Sequence, residues 1–150
     1  MSSKPQLLIV DDDTLIVDSL GFVLSDEFEI TTAASREQAI RLITGSGPIE
    51  LALIDLGLPP HPHSPAEGLA LITDLLAIEP EIKIVVLSGQ NDEANARLAR
   101  TLGATDFVAK PASPTLLKAL LLRIVKLRTA TALESRLQGR SSPIVQLRQQ

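Results

Sequence analysis

Gln6-Leu7-Leu8-Ile9-Val10 runs directly into Asp11-Asp12-Asp13, and this junction decides how the rest of the chain is read. Five residues, four of them large and apolar, are too few for a globular helix and fit a strand covered on both faces. Beyond the acids, Leu15, Ile16, Ser19, Leu20 and Val23 recur at helical spacing, so the opening unit is strand, acidic turn, helix. The same grammar returns downstream. Glu29 to Ala33 is a half-polar strand suited to a sheet edge. A helix then runs from an N-cap at Ser35 to about Thr44, before the breaker Gly45-Ser46-Gly47-Pro48. Leu51-Ala52-Leu53-Ile54 is a fully apolar strand ended by Asp55, and helix resumes at about Gly68 and stops at Pro80. Ile82 to Leu87 is a third apolar strand, ended by Ser88-Gly89; a helix over Asn91 to Leu102 is closed by Gly103. Asp106 to Ala109 is a short last strand ended by Lys110-Pro111. Ser113 as N-cap and Pro114 as first residue open a final helix that reaches about Gln138.

Five βα units with short connections make an α/β fold: a doubly wound parallel sheet with right-handed crossovers and an extended C-terminal helix. The functional crevice of such a fold lies outside the carboxyl ends of the strands. Those ends carry Asp11, Asp12, Asp55, Ser88 and Lys110, far apart in the chain and neighbours in the sheet. Crowded carboxylates repel one another and call for a divalent cation; hard oxygen ligands suit Mg²⁺, or Mn²⁺. A lysine and a hydroxyl beside that cation make a cradle for a phosphoryl group, and a central carboxylate there is a nucleophile able to form an aspartyl phosphate.

Composition narrows the alternatives. The chain has 150 residues, 45% of them hydrophobic and 21% charged, enough for one domain and a short appendage. It has no Cys, which removes disulfides, thiolate metal sites and cysteine nucleophiles together and favours an intracellular setting. With no Trp, no Tyr and three Phe, it lacks the aromatic faces of single-stranded nucleic-acid modules. Phe22 and Phe28 are expected in the core. Met1 to Pro5 lacks a signal pattern, and no apolar run approaches the ~18 residues of a spanning helix, so a soluble, cytoplasmic protein without membrane contact is expected. The net charge of −4 hides an asymmetry: residues 1–112 carry 7 Lys/Arg against 17 Asp/Glu, a balance of −10, whereas residues 113–150 carry 7 Lys/Arg against Glu134, a balance of +6. An acidic body precedes a basic tail.

Four spaced motifs resemble the response-regulator receiver domain of two-component signalling: Leu7 to Asp13, Leu53-Ile54-Asp55-Leu56-Gly57-Leu58-Pro59, Val86-Leu87-Ser88-Gly89, and Gly103 to Pro111. The resemblance covers about residues 5–128 and implies a flavodoxin-like (βα)5 sheet of order 2-1-3-4-5, with residues 129–150 a helical linker or tail. It implies that Asp55 is the phosphoacceptor, that Asp11 and Asp12 bind Mg²⁺ with the Gly57 carbonyl as a further ligand, and that Lys110 contacts the phosphate. Ser88 falls on the switch hydroxyl, Phe107 on the aromatic switch, Gly57 and Gln90 on positions that tune self-dephosphorylation, and Lys110-Pro111 on a cis peptide. The implied partners are a sensor histidine kinase and a second copy in a homodimer, with no nucleic-acid contact by this segment and no enzymatic turnover beyond self-dephosphorylation. The Gly-Leu-Pro-Pro stretch with Glu67-Gly68-Leu69 also resembles receivers of enhancer-binding regulators that carry an AAA+ ATPase, so an attached transcriptional effector is expected.

The sequence departs from the family in one loop: Pro59 and Gly68 lie farther apart than usual, with Pro60-His61-Pro62-His63-Ser64-Pro65 inserted. Two histidines two residues apart lack two further ligands for a soft metal. Asp13 needs no role beyond favouring a helix start. Two competing readings are a stand-alone receiver acting by protein binding and a haloacid-dehalogenase-like phosphohydrolase with Asp11 as nucleophile and Asp13 as acid. The second family wants Thr or Val where Leu15 stands, and a late acidic pair absent from this sequence.

Overall fold

The computed structural model describes residues 4–45, 48–59, 65–89, 93–110 and 112–138, with side chains through 127. The elements alternate as the sequence predicts: β1 (Gln6–Val10), α1 (Thr14–Leu24), β2 (Glu29–Ala33), α2 (Arg36–Gly45), β3 (Leu51–Asp55), α3 (Ala66–Ile78), β4 (Lys83–Ser88), α4 (Glu93–Leu102), β5 (Asp106–Ala109) and α5 (Pro114–Gln138). All strand pairs are parallel and the order is β2-β1-β3-β4-β5. The half-polar β2 is an edge, as its composition requires. The chain divides into two compact units, Met1–Lys118 and Ala119–Gln150. The first holds the sheet, α1 to α4 and the opening turn of α5; the second holds the rest of that helix.

Both faces of the central strands are buried, which explains their unbroken apolar runs. One face gathers Leu8, Val10, Ala52, Ile54, Ile84 and Val86 against Ala39 and Ile43 of α2, Leu71, Ile72 and Leu75 of α3 and Ala99 of α4. On the other, Leu87 is buried and lines a cleft with Ile16 and Leu20 of α1 and Leu117 of α5. Each such fully buried aliphatic side chain contributes about 1.5–3 kcal/mol.

Local chemistry sets the helix ends. The Asp13 carboxylate is the N-cap of α1, accepting from the N–H groups of Leu15 at 3.0 Å and Ile16 at 3.4 Å. Ser113 Oγ accepts from Leu116 N at the head of α5. Gly103 ends α4 at φ +118°, where an added Cβ would lie 2.5 Å from Leu76 Cδ1. Gly21 in α1 has open space around it. Gly103→Ala is therefore expected to lower unfolding stability by about 1–3 kcal/mol, and Gly21→Ala to raise it by up to ~1 kcal/mol, both measured by chemical denaturation.

Four expectations change: β4 runs over Lys83–Ser88 instead of Ile82–Leu87, Leu15 of the α1 stripe is 78% exposed, and two more concern α3 and Phe22. Helix α3 begins at Ala66 and ends at Ile78, shifted two residues toward the N-terminus from the predicted span. Phe22 is not in the core: it is 85% exposed, whereas Phe28 is 1% exposed. Leu20 and Leu24 are the buried positions of α1, and Phe22, midway between them at ~100° per residue, is carried to the opposite side.

Candidate functional site

Strand register brings the polar termini together. Val10 pairs with Ile54, Asp55 with Leu87, and Ser88 with Ala109, so the residues that end β1, β3, β4 and β5 fall within two register positions of one another at one edge of the sheet. Backbone bonds extend the ladder past the strands: Asp11 N–H donates to Ala33 O at 3.0 Å, and Lys110 N–H to Ser88 O at 2.7 Å. Asp11, Asp55 and Ser88 are all buried, and burying such groups is tolerable only where they are paired.

The pairing is incomplete in one respect. Lys110 Nζ stands 3.2 Å from Asp55 Oδ1 and 3.7 Å from Asp11 Oδ2. Asp55 Oδ1 also accepts from Gly57 N at 3.3 Å, and Asp11 Oδ1 accepts from Asp13 N at 3.0 Å. Asp11 Oδ2 is buried with no hydrogen-bond donor. One lysine thus faces two buried carboxylates, with Asp12 exposed beside them, and carboxylate oxygens of Asp11, Asp12 and Asp55 lie within 4.8 Å of one another. Burial pushes the Asp11 carboxyl up to about 6; the Asp55 and Asp12 charges push the same way, against the Asp13 N–H and Lys110. An orphaned buried oxygen in a set of hard oxygen donors fits a divalent cation of the Mg²⁺ class.

Ser88 lies at the end of β4, 7% exposed. Phe107, on β5, is half-buried and packs against the core cluster. Gln90 and Pro111, and with them the tuning position and the Lys110-Pro111 peptide, lie outside the described residues, as do His61 and His63. Sequence reasoning missed an exposed apolar surface on α1 and the head of α5. Leu15 and Phe22, seven residues apart on α1, are 78% and 85% exposed, and Leu116 at the start of α5 is 71% exposed. A cleft of about 360 Å³ between these helices is lined by Ile16, Leu20, Leu87, Ala112, Leu117 and Lys110. The signal was available for Phe22, which falls off the Leu20/Leu24 stripe, but not for Leu15, which reads at helical spacing with Ser19 and Val23. Among the described residues no helix is long and apolar enough to cross a membrane.

Residues 7–122 match the family model described as the response regulator receiver domain. The transcriptional regulatory protein AruR of Pseudomonas aeruginosa is 33% identical over 119 residues, covering 76% of this chain and 46% of that protein. The chain spans about half the length of the curated relatives it matches. Among solved structures, a CheY-like receiver domain protein from Methanospirillum hungatei is similar at a TM-score of 0.73 and 28% identity, over 85% of this chain and 99% of that one. A response regulator from Burkholderia pseudomallei, solved with a phosphorylated aspartic acid and a calcium ion, is similar at 0.69 and 28%, over 87% and 75%. With its parallel sheet, its acidic cluster and its matched span, the chain belongs to the response regulator receiver domain family.

Proposed function

We propose that Asp55 accepts a phosphoryl group from the phosphohistidine of a sensor kinase and that this charge switches the output of a transcriptional regulator. The observation that carries the reading is the buried Asp55 carboxylate held 3.2 Å from Lys110 Nζ within a cluster of three carboxylates. The Burkholderia relative with its phosphorylated aspartic acid and calcium ion supports it.

In the step proposed, the bond from the donor imidazole nitrogen to phosphorus breaks as a bond from an Asp55 carboxylate oxygen forms, and the imidazole leaves. Gly57 N–H and Lys110 both engage Asp55 Oδ1, which supports Oδ2 as the attacking oxygen. Lys110 holds positive charge where the transferring oxygens arrive. Asp11, Asp12, Asp55 and the Gly57 carbonyl would hold Mg²⁺, whose charge offsets that of the phosphoryl oxygens when bound. Ser88, at the adjacent strand end, bonds the new phosphate, and Phe107 two strand positions before Ala109 follows it inward, so that the phosphorylated state favours one of two arrangements. The cleft lined by Ile16, Leu20, Leu87, Ala112 and Leu117 shares Lys110 with the site, and a kinase bound over the head of α1 beside it brings its phosphohistidine to Asp55. Residues 129–150 would connect the receiver to an effector, with a cytoplasmic homodimer as the acting form. The domain is a signalling module and turns over no substrate beyond the loss of its own phosphate.

Acetyl phosphate with Mg²⁺, followed by borohydride reduction and peptide mapping, tests the reading. The modified residue is expected to be Asp55; modification at Asp11 would support the phosphohydrolase alternative instead.

A further inference from the structure

The residue between Asp55 and Gly57 is braced from outside the acidic site. The Leu56 carbonyl accepts two backbone N–H groups, from Leu58 at 2.9 Å and from Gly68 at 3.2 Å, and Leu56 N–H donates to Leu87 O at 3.2 Å. Gly68 is the third residue of α3, and the approach is so close that an added Cβ would run into Leu56 Cα and lie 2.8 Å from its carbonyl oxygen. Nothing larger than a hydrogen fits there, so glycine is required by proximity rather than by its dihedral freedom. The loop between Pro59 and Gly68 is long and proline-rich, and the Leu56–Gly68 bond closes its base.

The start of α3 is itself held sideways. Arg36, the first residue of α2, pairs with Asp74 Oδ2 at 2.8 Å through Nε and with Glu67 Oε2 at 3.6 Å through Nη1. The hydrogen bond to Asp74 raises the Arg36 pKa, so the guanidinium is a fixed charge. Glu67 immediately precedes Gly68. A continuous line of contacts therefore runs from α2 through Arg36 to the head of α3, through Gly68 to Leu56, and so to the Asp55 carboxylate on one side and the Gly57 carbonyl on the other.

We propose that Gly68 and Arg36 are positioning residues for the cation site: they fix Leu56 so that the Asp55 carboxylate and the Gly57 carbonyl face the same point. The inference rests on the reading of Asp11, Asp12, Asp55 and Gly57 as the ligands of a divalent cation. It explains why a glycine and an arginine that touch no ligand atom matter to ligand geometry, since outer contacts that orient ligands change metal affinity without binding the metal.

The test is Mg²⁺ titration of the full chain by isothermal calorimetry, which suits a protein without Trp, alongside metal-free thermal unfolding. Gly68→Ala is expected to weaken Mg²⁺ binding about 10- to 100-fold. Arg36→Met, which keeps the apolar stem and removes only two partly exposed ion pairs, is expected to weaken it about two- to fivefold. Gly21→Ala, at an open helical position, controls for glycine replacement in general and is expected to leave it unchanged. If Gly68→Ala does not fold, Arg36→Met decides alone. Lower unfolding midpoints with wild-type Mg²⁺ affinity in both variants would make the brace structural only and overturn the inference. A wild-type chain that binds no Mg²⁺ would overturn the cation reading, and the inference with it.

Discussion

Asp55→Asn is expected to accept no phosphoryl group from acetyl phosphate in the presence of Mg²⁺, a loss of at least about a thousandfold in labelling rate. An amide at this position keeps an oxygen for the Gly57 N–H, now at 3.3 Å, but it is a poor nucleophile and loses the ion pair with Lys110. The fold should not suffer. Three carboxylates share the site with one lysine within 4 Å of two of them, so removing one charge relieves repulsion, and the metal-free midpoint of Asp55→Asn should equal or exceed that of the wild type. Loss of labelling without loss of stability separates a chemical role from a structural one. Intact mass spectrometry reads the result directly. A full equivalent of phosphate on Asp55→Asn would move the nucleophile to another carboxylate and sink the receiver mechanism.

The strands were legible because each central one is buried on both faces. The edge strands β2 and β5 run over Glu29–Ala33 and Asp106–Ala109, within the same bounds read from the sequence although they are less buried. The site was legible for a related reason. In a parallel sheet the polar residue that ends each apolar run must fall at the same edge, so Asp11, Asp55, Ser88 and Lys110 could be grouped before any coordinate was known. The long-range contacts were not legible. Nothing in the sequence links Arg36, Glu67 and Asp74, and only the packing of α2 beside α3 brings them within 2.8–3.6 Å. Lys118 behaves similarly: it belongs to the basic tail by composition, yet it pairs with Asp26 at 2.8 Å and holds that carboxyl below its ordinary value. Phe22 misled because aromatic residues are usually buried, while the phase of α1, set by Leu20 and Leu24, carried it outward.

Asp11→Asn should do two opposite things: stabilise the metal-free protein at neutral pH and weaken Mg²⁺ binding by at least about 100-fold. The Asp11 carboxyl is pushed up to about 6, chiefly by burial, from its ordinary value of 3.8. Between those two values the folded state holds a proton that the unfolded state has already released. Wild-type stability without metal therefore falls as pH rises through about 4 to 6 and levels off above, the reverse of the usual carboxylate effect. Above about 6 the folded protein carries a buried anion whose Oδ2 has no hydrogen-bond donor, and an amide in its place carries no charge to desolvate. With Mg²⁺ the order inverts, because binding to the folded state alone adds stability that grows with cation concentration, and only the wild type gains it fully. Since the proton must leave before the cation enters, wild-type Mg²⁺ affinity should fall about tenfold per pH unit below about 6, a slope that Asp11→Asn lacks. Unfolding midpoints of both proteins on either side of this window, with and without Mg²⁺, give all four comparisons. A metal-free Asp11→Asn that is less stable than the wild type at neutral pH would mean that Lys110, 3.7 Å away, already compensates the buried charge, and the cation would then have no unmet oxygen to satisfy.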